Sequence, residues 1–104
     1  MIIYYVDCYQ EVVAVFTDPD KLVEWFKKAQ AEGAYDIREL TVSVLPADPS
    51  TTLFAYSWFD DLGLQGELMD TSGVVHPSAE ATDVPFAAEV EKAAEALVQK
   101  LSEL

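Results

Sequence analysis

The sequence predicts an α+β domain, a mostly antiparallel sheet in the order β-β-α-β-β-β-α with two helices packed on one face. Three observations predict it. Two stretches repeat apolar residues at helical spacing. Several shorter runs alternate at a period of two or are rich in β-branched residues. Turn chemistry built from Pro, Gly and Asp separates them.

The opening run "IIYYVDCY" alternates, with Ile2, Tyr4, Val6 and Cys8 on one face and Ile3, Tyr5, Asp7 and Tyr9 on the other. It reads as a strand. Gln10 and Glu11 interrupt it before "VVAVF", a hairpin partner whose turn type no Gly or Asn defines. In "TDPDKLVEWFKKAQAEG" Thr17 or Asp18 caps a helix, Pro19 suits its first turn and Asp20 the positive end of its dipole. Gly33 suits its left-handed stop. Leu22, Trp25, Phe26 and Ala29 form the apolar stripe, while Glu24, Lys27 and Lys28 face water.

"YDIRELTVSV" returns as a strand with Leu40, Val42 and Val44 on one side and Glu39, Thr41 and Ser43 on the other; Pro46 and Pro49 end it. "TTLFAYSWF" follows, with Phe54, Tyr56 and Trp58 opposite Leu53, Ala55, Ser57 and Phe59, and both faces are expected to be covered. "DDLG" makes a turn in which Gly63 supplies positive φ, and "LQGELMD" returns with Leu64, Gly66 and Leu68 inward and Gln65 and Glu67 outward. "TSGVVHPSAEATDVP" is a long polar connection with a short edge strand at Val74 and Val75. Asp83 and Pro85 then start a second helix with a stripe of Phe86, Val90, Ala93, Leu97, Leu101 and Leu104.

A chain of 104 residues reads as a single domain, 1–104, and 51% hydrophobic residues suffice for a core despite a net charge of -13. The apolar start lacks a basic beginning and is broken by Asp7 and Glu11, so neither a signal peptide nor a membrane span is expected. The lone Cys8 leaves no internal disulfide and suits a reducing cytoplasm. From Glu39 through Glu91 the chain holds no Lys or Arg. A field of one sign repels phosphate backbones and anionic lipids, so neither direct nucleic-acid binding nor membrane binding is expected; the natural partner is a basic protein.

No catalytic constellation is visible. Cys8, on the Ile2, Tyr4 and Val6 face, reads as a small buried hydrophobe, and His76 before Pro77 as a solvated loop residue. One Cys and one His cannot make a structural zinc site, and "DPDKL" lacks the Gly and the distal Glu of a calcium loop. Four scattered glycines form no phosphate cradle. Asp60 and Asp61 are successive residues at a wet turn and do not make an acid/base pair. No cofactor, metal or catalytic residue is assigned, and an enzyme is not expected.

The acid admits three readings. In the first, Asp60, Asp61, Glu67 and Asp70 of the hairpin and Glu91 and Glu95 of the last helix converge on one surface that meets a basic partner, a DNA mimic at the limit, since such side chains space like phosphates. In the second, Trp58, Phe59 or the C-terminal helix docks a partner by apolar contact, and the helix pairs two copies into a homodimer or scaffold module. In the third, Tyr4, Tyr5, Tyr9, Tyr56 and Trp58 line a ligand pocket.

The stretch "IIYYVDCYQEVVAVFTDPDKLVEWFKKAQ" with "YDIRELTVSV", a two-strand start, a capped helix and a strand beginning Y-x-I-x-E, resembles small phage-encoded acidic proteins of unassigned role. The resemblance covers about the first 45 residues. It implies a viral or mobile-element origin and the class of acidic inhibitors of host or defence proteins, acting in the host cytoplasm. The expectation is an acidic inhibitor or modulator of a basic, nucleic-acid-handling host protein.

Overall fold

The structure, a computed structural model, describes residues 1–47, 53–60, 63–84 and 86–103. Its strands are β1 (Ile2–Cys8), β2 (Glu11–Phe16), β3 (Leu40–Pro46), β4 (Leu53–Asp60), β5 (Gly63–Asp70) and β6 (Val75–His76); its helices are α1 (Pro19–Glu32) and α2 (Ala87–Ser102). The strands form one six-stranded sheet in the order β2-β1-β3-β4-β5-β6, with every neighbouring pair antiparallel. The chain leaves edge strand β2 through α1 and re-enters the sheet beyond β1, then runs as a meander from β3 to β6. The expected class and element order hold.

Both helices pack on the same face. Tyr4 and Val6 of β1, Leu40, Val42 and Val44 of β3, Leu53 and Ala55 of β4 and Leu68 of β5 point toward that layer and are buried. They meet Leu22 and Phe26 of α1 and Val90, Leu97 and Leu101 of α2 in one cluster. The Phe26 ring lies 6.1 Å from Phe59, and Trp25, at the rim, stands 6.4 Å from Phe16 and 5.7 Å from Tyr35. Cys8 is half-buried against this cluster. Among the described residues no helix is long and apolar enough to cross a membrane.

α1 begins as its local signals require. The Asp18 carboxylate accepts from the Asp20 N–H at 2.9 Å, Pro19 opens the first turn, and Gly33 at φ 67° closes the last by donating its N–H back to Ala29 and Gln30. Four local expectations are corrected. The strand expected from Tyr35 starts at Leu40, because Asp36 caps a 3-10 turn over Ile37–Glu39. That strand runs on through Leu45 to Pro46 rather than stopping at Val44, and Pro46 ends it opposite Ile2 at the sheet margin. The late edge strand covers Val75–His76 rather than Val74 and Val75. Phe86 does not join the α2 stripe: it takes φ 66° just before the helix, 42% exposed, and Ala87 is buried instead. Pro49, Pro85 and Leu104 lie outside the described residues.

The β1–β2 hairpin turns on two residues, Tyr9 at φ 50° and Gln10 at φ 69°, between the paired Cys8 and Glu11. Two left-handed residues in a two-residue loop make a type I′ turn, which ordinarily takes Asn-Gly. A side chain in that region carries a steric cost of about 1 kcal/mol or more. Gln10→Gly is therefore expected to raise the unfolding free energy by about 1 kcal/mol, read as a higher urea midpoint at unchanged slope.

Candidate functional site

The sheet has a second face, and among the described residues no helix lies on it. The strand register stacks its residues in cross-strand rows. One row runs Val15, Tyr5, Ser43, Tyr56, Glu67 and the next Val12, Asp7, Thr41, Trp58, Gln65. Beyond them Ile3 pairs with Leu45, and Phe54 with Met69, which pairs in turn with Val75. Tyr5, Leu45, Phe54, Tyr56, Trp58 and Met69 are all half-exposed and stand outside the core cluster. The Tyr56 and Trp58 rings lie 5.7 Å apart and form the middle of the face. An apolar surface with aromatic residues at its centre is the usual make-up of a protein-docking site.

Its strands carry charge of one sign. The six strands contain no Lys or Arg; five of the six basic residues sit on α1 and α2, and Arg38 on the 3-10 turn. Side-chain alternation places the carboxylates of Asp7, Asp60 and Glu67 on the helix-free side. Asp7 is the unusual one. A bulge between Val6 and Asp7 sets it opposite Val12, and its Oδ1 is buried without a hydrogen-bond partner. Desolvation by that burial pushes its carboxyl above the ordinary carboxylate value. It opens on a depression of about 560 Å³ lined by Tyr9, Arg38, Glu39, Thr41 and Tyr56. There the Tyr9 hydroxyl donates to Glu39 Oε1 at 2.8 Å, a bond that raises the phenol's pKa.

The structure divides the residues expected to bind a partner. Trp58, Asp60 and Glu67 share the helix-free face. Phe59 points the other way, against Phe26. Glu91 and Glu95 lie on α2, on the opposite side of the sheet, so the acids do not form one patch. Asp61 lies outside the described residues. Asp70 is engaged in a turn: its Oδ1 accepts from the Ser72 hydroxyl and from the N–H groups of Ser72 at 2.9 Å and Val74 at 3.2 Å, and its Oδ2 meets His76 Nε2 at 3.0 Å. Those bonds, the Ser72 hydroxyl first and His76 second, hold its carboxyl well below the usual carboxylate range. His76, expected in water, is thus paired and only 19% exposed in its side chain.

Sequence reasoning missed Asp7, Ile3, Tyr5, Leu45, Phe54 and Met69 as members of the surface. Alternation had sorted most of them onto faces, yet it carries no mark of which face the helices choose.

Two titrations follow, with opposite signs. The Asp70 carboxyl is lowered in the folded state, so its stabilisation is present above its ordinary value of 3.8 and is lost as pH falls below it. Asp70→Asn is expected to destabilise the protein at pH 7 and to flatten the acid limb of a plot of urea midpoint against pH. The Asp7 carboxyl is raised, so its ionised form opposes folding above the raised pKa and the penalty fades as pH falls through it. Asp7→Asn is expected to raise the urea midpoint at pH 7, with the gain shrinking toward pH 3.8 and below in the same measurement.

No family model, curated protein or solved structure matches this chain.

Proposed function

We propose that the protein is a binding protein that docks a basic protein partner on the helix-free face of its sheet, and that it acts as an inhibitor or modulator of that partner. The observation that carries this reading is the pairing of partly exposed aromatic residues outside the core, Tyr56 and Trp58 at their centre, with strands that hold carboxylates and no Lys or Arg. The aromatic residues supply desolvation energy on contact; the acids select a rim of lysine and arginine.

Cationic surfaces of this kind occur on proteins that handle nucleic acid, and covering one would block its phosphate-binding groups. Phosphate mimicry by a continuous acidic array has less support, because Glu91 and Glu95 lie across the sheet from Asp60 and Glu67. Pairing of two copies through α2 also has less, because its stripe of Val90, Leu97 and Leu101 is buried on its own sheet. Two copies meeting through the helix-free face would each bring a charge of -13 and repel.

The test compares wild-type protein with Trp58→Ala and with Glu95→Gln as a control on the other side, each used as bait at low and at roughly 0.5 M salt. A partner held by wild type and control, weakened on Trp58→Ala by about 2 kcal/mol and released more readily at high salt, supports the reading. A partner that binds Trp58→Ala as well as wild type sinks it, and so does a self-association that sizing shows at high concentration and Trp58→Ala abolishes.

A further inference from the structure

On the opposite side, between α2 and the β4–β6 end of the sheet, lies an open groove of about 820 Å³, within the size range of small-molecule sites. Its floor holds the one polar residue that is buried among the described residues: Ser57, 2% exposed. Its hydroxyl makes no hydrogen bond among the described residues. Opposite it in register is Gly66, and a Cβ built there would come to 3.5 Å from Ser57 Oγ. The missing side chain leaves that hydroxyl facing the groove. The hydroxyl can therefore donate to or accept from a polar group of a ligand seated in the groove.

The walls define the ligand's charge. No Lys or Arg lines the groove. Glu91 and Glu95, one helical turn apart, both line its α2 wall. Glu91 is held in place by the backbone N–H of Ala79, and Glu95 is exposed with no bond among the described residues. Across from them His76 is fixed by Asp70 at 3.0 Å, both side chains less than a fifth exposed. Ala94, Val98 and Leu68 supply apolar wall between these polar points.

We infer that this groove binds a small organic ammonium ion with an apolar body, its charged head at Glu91 and Glu95 and a polar group or the head's own N–H at Ser57. Anionic ligands such as phosphate esters are excluded by the same walls. The inference does not rest on the docking face: Glu67 borders both, but the ligand's contacts at Ser57, Glu91 and Glu95 lie on the other side of the sheet.

The experiment is a titration with phenethylamine and tryptamine as probes, followed by backbone amide shifts and calorimetry, with 2-phenylethanol and 3-phenylpropanoate as neutral and anionic comparators. Saturable shifts at Gly66, His76 and Ser78 with the amines, and not with the anion, are expected. Glu95→Gln, at an exposed position, is expected to weaken amine binding about fivefold. Gly66→Val, which fills the space before Ser57, is expected to abolish it with the circular dichroism spectrum retained. Absence of saturable shifts with either amine, equal response to all comparators, or binding unchanged in both variants overturns the inference. Should Gly66→Val fail to fold, Glu95→Gln and the comparators decide alone.

Discussion

A sheet has two faces, and this chain has helix enough for one. Six strands spaced at about 4.8 Å span roughly 24 Å, and two helices of about 10 Å diameter cover such a width once. α1 lies toward the β2 end and α2 over β3 to β5, and together they enclose the core that Tyr4, Val42, Val44 and Leu53 build from below. Everything on the other side of the strands is left to solvent or to a partner. The protein's surface chemistry follows from that single allocation.

The residues are not distributed as if the uncovered side were a generic wet face. A half-solvated antiparallel sheet normally alternates apolar inside with polar outside. Here β4 does the reverse at its middle: small Ala55 and Ser57 lie under α2, while Phe54, Tyr56 and Trp58 look outward. The small residues leave space beside the helix and thereby make the groove; the large ones make the docking face. One strand thus serves both candidate sites, through opposite sides of its pleat. The charges divide along the same line. The lysines ride on the helices, where the Lys100 ammonium pairs with Asp20 and ties the end of α2 to the start of α1. The strands that carry the aromatic residues hold carboxylates and no Lys or Arg, and Arg38 of the 3-10 turn borders them beside Tyr56.

Where the chain's own neighbours determine structure, reading was direct. Asp18, Pro19 and Gly33 act within one turn of themselves, so α1 could be delimited from its residues. Local chemistry also explains a failure. Asp36 reads as the start of a strand by composition, yet its carboxylate bonds the Arg38 N–H and winds Ile37–Glu39 into a 3-10 turn. The turn at Tyr9 and Gln10 was illegible for another reason. Neither residue favours positive φ, so the pairing of β1 with both β2 and β3 must impose it.

The amino-acid order by itself determined the kinds of element, the membership of each strand face and the excess of acid over base. Those depend on spacing and counting. Only the tertiary structure decided which strand faces lie under helices, that Glu91 and Glu95 stand across the sheet from Glu67, and that Ser57 opens onto a groove beside Gly66. Period-two alternation treats the two sides of a strand alike. The symmetry is broken by contacts between residues far apart in the chain, β1 with β3 and β4 with α2, which no local pattern encodes.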